Sequence, residues 1–267
     1  MTKSSFRLFA KPLLLITALL VSQFVFCWGL LGHRVVAEIA QQHLSKKAKK
    51  EIKKIIGKET LALWSNWPDF IKSDSTWNHV SPWHYVDFPG HMKKEDFMTA
   101  LKAAPGKNLY TQIPAMMAEL KDKSLPLEQR RNALAFLVHF IGDLHQPLHV
   151  GRDEDQGGNK IVVYWFGDKT NLHTLWDTKF IESQQYSYTE YAKLLDIADE
   201  EKVKAWQNSS LEEWFWESHV MSDSIYDASP AEAKLGYKYN YQFQAMMNEQ
   251  LLKGGVRLAK LLNECFE

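Results

Sequence analysis

The run Leu137-Val138-His139-Phe140-Ile141-Gly142-Asp143-Leu144-His145-Gln146-Pro147-Leu148-His149 constrains the fold more than any other part of the chain. It reads as the end of a long buried helix over residues 127–146, so its polar side chains are carried into the interior. His139 and Asp143 stand four apart and project from one helical face, one turn above the other. Pro147 stops the helix, because the residue before a proline is pushed out of helical geometry, and His149 can then swing back toward the same face. Two imidazoles and a carboxylate set in an apolar run are N/O ligands suited to zinc. The same residues would also serve as a buried polar cluster satisfied by hydrogen bonds.

Residues 1–27 read as a secretory signal. Lys3, Arg7 and Lys11 form a basic start, and residues 13–26 an apolar stretch too short to span a bilayer. Val25 and Cys27 supply the −3 and −1 positions for cleavage before Trp28. Lipidation of Cys27 is the alternative, which bulky Phe26 fits poorly. Removing the signal takes away three basic and no acidic residues, leaving 29 basic against 32 acidic, a net of −3. The electrostatic footprint of a polybasic nucleic-acid module is therefore missing, and attraction for an anionic substrate would have to come from metal ions. Only Cys265 remains after cleavage, so no intrachain disulfide is possible. A core rich in Trp, Phe and Tyr must hold the chain together instead.

Along the chain, residues 34–44 carry helical apolar spacing. Ser45 caps a Lys-rich helix that stops at Gly57, whose lysines 46, 47, 49, 50, 53 and 54 read as a solvated face. Trp67-Pro68-Asp69 is a helix start, with Lys72 three residues on. Residues 83–90, with His84, Tyr85 and Asp87, form a short extended run ending in a turn. Helices are expected over 94–104, 110–122, 211–225 and 239–266, and a single convincing strand over 161–167. His173 and Asp177 repeat the four-residue spacing of His139 and Asp143. Tyr237, Tyr239 and Tyr241 read as packing residues, and His43, His79, His91, His145 and His219 as surface or packing residues, with His145 a possible support for its ligand neighbours.

The candidate ligands are thus the Trp28 terminus, His33, Asp69, His84, His139, Asp143, His149, His173 and Asp177. A tetrahedral zinc takes three or four protein ligands, so this set is too rich for one ion and right for about three. A free α-amine at Trp28, with a pKa near ~8, could chelate together with its own carbonyl oxygen, His33 being a third ligand.

In this order and spacing, Trp-Gly-x-x-Gly-His, Trp-Pro-Asp, His-Tyr-Val-Asp, His-x3-Asp-x5-His, Gly-Gly-Asn and His-x3-Asp, the chain resembles the zinc-dependent single-strand-specific nucleases of the S1/P1 type over essentially its whole length after residue 27. They share a fold with the bacterial zinc phospholipases C. The resemblance implies an all-α class, a mainly α-helical single domain with a short β-hairpin over residues 28–267. It further implies three zinc ions: one held by Asp69, His84 and His139, one by the Trp28 amine and carbonyl with His33, Asp143 bridging these two, and a third by His149, His173 and Asp177. Asp87 and Lys72 match positions that orient the attacking water and neutralise the phosphate. Lys72 stands where some relatives have Arg, so the charge is kept but the planar fork is lost. Tyr85 matches an aromatic on which a base stacks.

The expected activity is endonucleolytic hydrolysis of single-stranded DNA and RNA to 5′-phosphate products, with 3′-nucleotides as further substrates. No protein partner and no membrane anchor are implied. Lack of disulfides points to a bacterial member, exported to the periplasm or medium. The alternatives are a phospholipase C on the same metal cradle and a non-catalytic exported zinc-binding protein.

Overall fold

The computed structural model describes residues 28–267. The expected secretory segment, Cys27 included, lies outside the described residues. Helix boundaries fall at residues that satisfy terminal amides. Ser45 accepts from the amide of Ala48, which separates α1 (Leu30–His43) from the Lys-rich α2 (Lys46–Ile56). Thr60 caps α3 (Leu61–Trp64), and Pro68 sits in the first turn of α4 (Trp67–Phe70), where a missing amide costs nothing. Two 3-10 segments cover residues 71–73 and 75–84, and the backbone turns extended at Tyr85. The expected helices follow as α5 (Lys94–Ala103), α6 (Leu109–Lys121) and α7 (Leu127–Leu144).

Beyond α7, Pro147–Val150 forms a 3-10 turn. The expected hairpin is present: β1 (Val162–Trp165) pairs antiparallel with β2 (Asp168–Asn171), Val162 opposite Asn171 and Trp165 opposite Asp168. A third strand, β3 (Ala233–Leu235), lies parallel to β1 on its other edge, so the hairpin is part of a three-stranded sheet. Three residues with a lysine in the middle carry no strand signal; pairing with the open edge of β1 makes them one. Between β2 and β3 lie α8 (Leu172–Thr174), a π-helical turn over Leu175–Lys179, α9 (Phe180–Glu182), α10 (Tyr188–Leu195), α11 (Glu200–Asn208) and α12 (Leu211–Asp227). The 30-residue α13 (Tyr237–Phe266) closes the chain.

Every residue of α7 from Ala133 to Leu144 is buried, as its continuous apolar character requires. α1, α6 and α13 pack around it, in one mainly helical domain. Each large apolar side chain buried here contributes about 1.5–3 kcal/mol, which offsets the penalty of drawing histidines and aspartates into the same interior. Of the three tyrosines expected to pack, only Tyr239 is buried; Tyr237, 82% exposed, lies edge-on to the exposed Phe166 ring, and Tyr241 is 90% exposed. Among the described residues no helix is long and apolar enough to cross a membrane. Cys265 is buried and free, and burial pushes its thiol up to about 11.

Candidate metal centre

The N-terminal end of α1, α4, the end of the 3-10 stretch at His84, the last turns of α7 and the 147–150 turn meet α8 at one place. α7 contributes His139 and Asp143, with Nε2 3.4 Å from Oδ2. α1 brings His33, whose ring stacks on that of His139 at 3.8 Å and 14° and whose Nε2 lies 3.4 Å from Asp143 Oδ1. Gly142 makes this approach possible: a Cβ there would stand 2.4 Å from His33 Nδ1. A glycine inside a helix destabilises it by roughly 0.5–1 kcal/mol relative to Ala, and here it opens the slot that His33 fills. His84 places Nδ1 3.0 Å from Asp143 Oδ2 and 3.1 Å from His139 Nε2. Asp69 approaches from α4, its Oδ1 3.7 Å from His139 Nε2 and 2.7 Å from Lys72 Nζ.

The second half of the centre rests on irregular backbone. Pro147 ends α7 and returns His149 inward, its Nε2 3.7 Å from Asp177 Oδ1 and its Nδ1 3.9 Å from Asp143 Oδ1. His173 on α8 lies 3.1 Å from Asp177 Oδ2, Asp177 itself being in the π-helical turn. Asp143 therefore touches both halves. Three groups have their donor atoms within 4.8 Å of one another: His33, Asp69 and His139; His84, His139 and Asp143; His149, His173 and Asp177. All eight side chains are buried.

Hydrogen bonds to backbone carbonyls decide how the imidazoles face inward. Nδ1 of His139 lies 2.7 Å from the Ser65 carbonyl, that of His149 2.7 Å from the His84 carbonyl, and that of His173 2.7 Å from the Gly157 carbonyl. A carbonyl only accepts, so each Nδ1 donates and each Nε2 points into the cluster, the arrangement that orients metal-ligating histidines. The inward atoms His33 Nε2, His149 Nε2, His173 Nε2 and Asp177 Oδ2 are buried without a hydrogen-bond partner at proper geometry. Such groups are destabilising in a satisfied polar core, whereas a divalent cation would match them. The donor set of imidazole nitrogens and carboxylates fits zinc.

The two halves differ electrostatically. Burial holds His33, His84 and His139 well below the usual histidine range, the Lys72 cation adding to this at His84 and His139. Burial likewise lowers His149. At His173 burial opposes charge, but the Asp177 carboxylate outweighs it and raises the pKa. Burial would raise Asp177, yet His173 and His149 bring it down to about 2. Asp87 stands beside this half, where desolvation pushes its carboxyl up to about 7 despite His173 and the Gly151 amide. One of its oxygens is buried without a hydrogen-bond partner.

Lys72 is carried one turn beyond Asp69, and Tyr85 is 44% exposed next to His84. The Trp28 side chain is fully buried against Gly32, and the Gly29 amide donates to the Asp177 carbonyl at 2.5 Å. Trp28 and Gly29 thus lie against the centre itself. His145 points away from it: Nδ1 donates to the Ile141 carbonyl and Nε2 lies 3.0 Å from Arg257. It packs, as expected, and does not support the ligands. His219 is buried on Phe97, His43 pairs with Asp196, and His79 and His91 are exposed. Sequence reading missed Gln146, whose amide donates to Asp177 Oδ1 while its own carbonyl accepts from Leu148. A buried glutamine between two ligand positions was the available signal. The carbonyls of Ser65 and Gly157 left no sequence signal.

The geometry can be compared with known proteins. A model of the family described as S1/P1 Nuclease matches residues 28–267. Endonuclease 4 of Arabidopsis thaliana is 32% identical, with 98% of this chain and 96% of that protein covered. Nuclease S1 of Aspergillus oryzae is 30% identical over 78% of this chain and 73% of its own. Nuclease P1 of Penicillium citrinum is 34% identical over 57% of each. These relatives are from plants and fungi, so the expected bacterial origin gains no support from them. Matched from Trp28 to its last residue, and carrying three buried His/Asp groups able to bind metal, the chain belongs to the S1/P1 nuclease family.

Proposed function

We propose that this nuclease is a trinuclear zinc endonuclease that cleaves single-stranded DNA and RNA to 5′-phosphate products and also acts on 3′-nucleotides. The observation that carries the reading is the inward-facing Nε2 atoms of His139, His149 and His173, each aimed by a backbone carbonyl on its Nδ1, the first toward Asp143 and the other two toward Asp177. Asp69, His84 and His139 would hold one ion, the Trp28 amine and carbonyl with His33 a second, and His149, His173 and Asp177 a third, Asp143 bridging the first two. Zinc bound there would supply Lewis acidity and would lower the pKa of water from ~16 toward ~7.

The remaining work belongs to the chain. Asp87, beside His173 and with one oxygen lacking a hydrogen-bond partner, is suited to orient a water and accept its proton. Lys72, on the exposed side of Asp69, offers a cation to the phosphate. The exposed ring of Tyr85 offers a stacking face to a base that has left its helix, which favours single strands. Three divalent ions would also let a net-negative chain attract a polyanion. The family match beginning at Trp28 is consistent with export and signal cleavage before that residue.

End-group analysis tests the reading. Purified chain starting at Trp28 should release 5′-phosphorylated products from single-stranded DNA, and a chelator should abolish this. Inactivity of folded, zinc-loaded protein on that substrate would sink the proposal. Asp87→Asn should leave metal content intact and remove hydrolysis; unchanged hydrolysis would remove Asp87 from the mechanism.

A further inference from the structure

Residues 46–59 contain seven lysines (46, 47, 49, 50, 53, 54 and 58) and two glutamates, a net of +5, in a chain that from residue 28 onward is net −3. All seven lysines are exposed. Among the described residues only Lys54 of the seven has a carboxylate partner, Glu51 at 2.6 Å. The apolar side of α2, Ala48, Ile52, Ile55 and Ile56, is buried, so the lysine side is the outer one. Lys53 and Lys54 suit the last turn of α2, but the rest of the composition works against the helix. Lysines at 46/50, 49/53 and 50/54 repel as i,i+4 neighbours, and α2 has no acidic residue in its first turn, where Lys46 and Lys47 oppose the helix dipole.

The position of this face gives it a use. A cavity of about 520 Å³ lies between the end of α1, α2 and residues 57–61, with Lys49, Lys53 and Lys58 on its wall. α1 runs from His33 in the metal centre to Gln41 and Gln42 on the same cavity, a separation of roughly 12 Å at 1.5 Å per residue. The chain between cavity and centre exposes Leu63 (57%) and Phe70 (51%), and Arg131 covers the half-buried Trp64 ring at 5.4 Å. In chain order, basic groups are followed by exposed apolar and aromatic side chains and then by Asp69 and Lys72 at the centre, the side-chain types that bind single-stranded nucleic acid.

Resting on the nuclease reading above, we infer that the lysine face of α2 is an accessory docking surface for the single-stranded substrate, holding phosphates of the strand some nucleotides away from the bond being cut. It adds affinity for long strands and takes no part in the chemistry. Mononucleotides and dinucleotides are too short to reach it.

The test compares wild type with Lys49→Gln/Lys50→Gln/Lys53→Gln on single-stranded DNA of about 30 nucleotides and on a dinucleotide, across salt concentrations. For the long strand the triple variant should show a KM raised about tenfold at low salt and a log KM–log salt slope reduced by about 2, near 0.7 per lost contact. Its kcat and its dinucleotide kinetics should be unchanged, and Lys→Arg at the same positions should restore the wild-type KM. Equal KM and salt slope on the long strand would overturn the inference. Loss of binding to anionic phospholipid vesicles with unchanged strand kinetics would overturn it in favour of a membrane surface. Wild type inactive on every nucleic acid would instead bring down the functional reading beneath it.

Discussion

The centre contains the same spacing twice, His139/Asp143 and His173/Asp177, on two different kinds of backbone. The first pair sits on a regular helix, α7, walled by buried apolar residues on all sides. The second spans a three-residue helix and a π-helical turn, and its histidine is aimed by a loop carbonyl, that of Gly157 at φ +62°. Charge follows architecture. Histidines around α7 are held neutral by burial, whereas His173 and Asp177 stabilise each other's charged forms. Spacing therefore places two side chains on one face, and the surrounding contacts decide protonation and aim.

The comparison breaks first at Asp143, the carboxylate that contacts both halves. Asp143→Asn should cost the α7 half its two ions by elemental analysis and lower kcat by about 10³-fold or more, since such a site acts as a unit. Retention of three ions would refute the shared role. Next in size is the chain start. A protein beginning one residue before Trp28 should lose one ion from the α7 half and most of its activity, with His149, His173 and Asp177 still loaded. Full activity would mean that the terminal amine is no ligand.

Gly157→Ala probes the other half. Its Cβ would fall 2.5 Å from the Leu148 carbonyl at a positive φ, so the loop must shift and release His173. Destabilisation by about 2 kcal/mol and selective loss of one ion are expected, read by thermal melting and metal analysis. Ser65→Ala, which keeps the carbonyl that aims His139, should leave metal content unchanged. The last test concerns Asp87 in metal-free protein. Its folded pKa of about 7 exceeds the ordinary aspartate value, so ionising it opposes folding. That penalty is absent below about pH 4, grows as pH rises, and is complete above about 7. Asp87→Asn should therefore raise Tm at pH 8, by about 2–4 °C for each kcal/mol of that penalty, and by nothing at pH 4; an equal gain at both would exclude the carboxylate as its source.

Much of the fold was legible because its signals are local. Apolar period, Ser45 and Pro68 located the helices to within a few residues, and β-branched residues marked β1. β3 was invisible because Ala233-Lys234-Leu235 becomes a strand only beside β1. Tyr237 and Tyr241 differ from expectation for a similar reason: they share the sequence neighbourhood of Tyr239, but only Tyr239 meets Trp176 and Ser229. The ligand positions were readable as residue types at intervals, and the structure gathers all eight side chains expected as ligands. Gln146 was overlooked between two of them.

From sequence came the identities and intervals of the donors, because a helix fixes which residues share a face and a proline fixes where it ends. Tertiary structure decided how those donors point. The partner of each outer nitrogen is a carbonyl 74 residues away for His139, 65 for His149 and 16 for His173. The slot for His33 exists only because α1 crosses α7 where residue 142 has no side chain. Such contacts join segments that are remote in the chain, and no local periodicity records them.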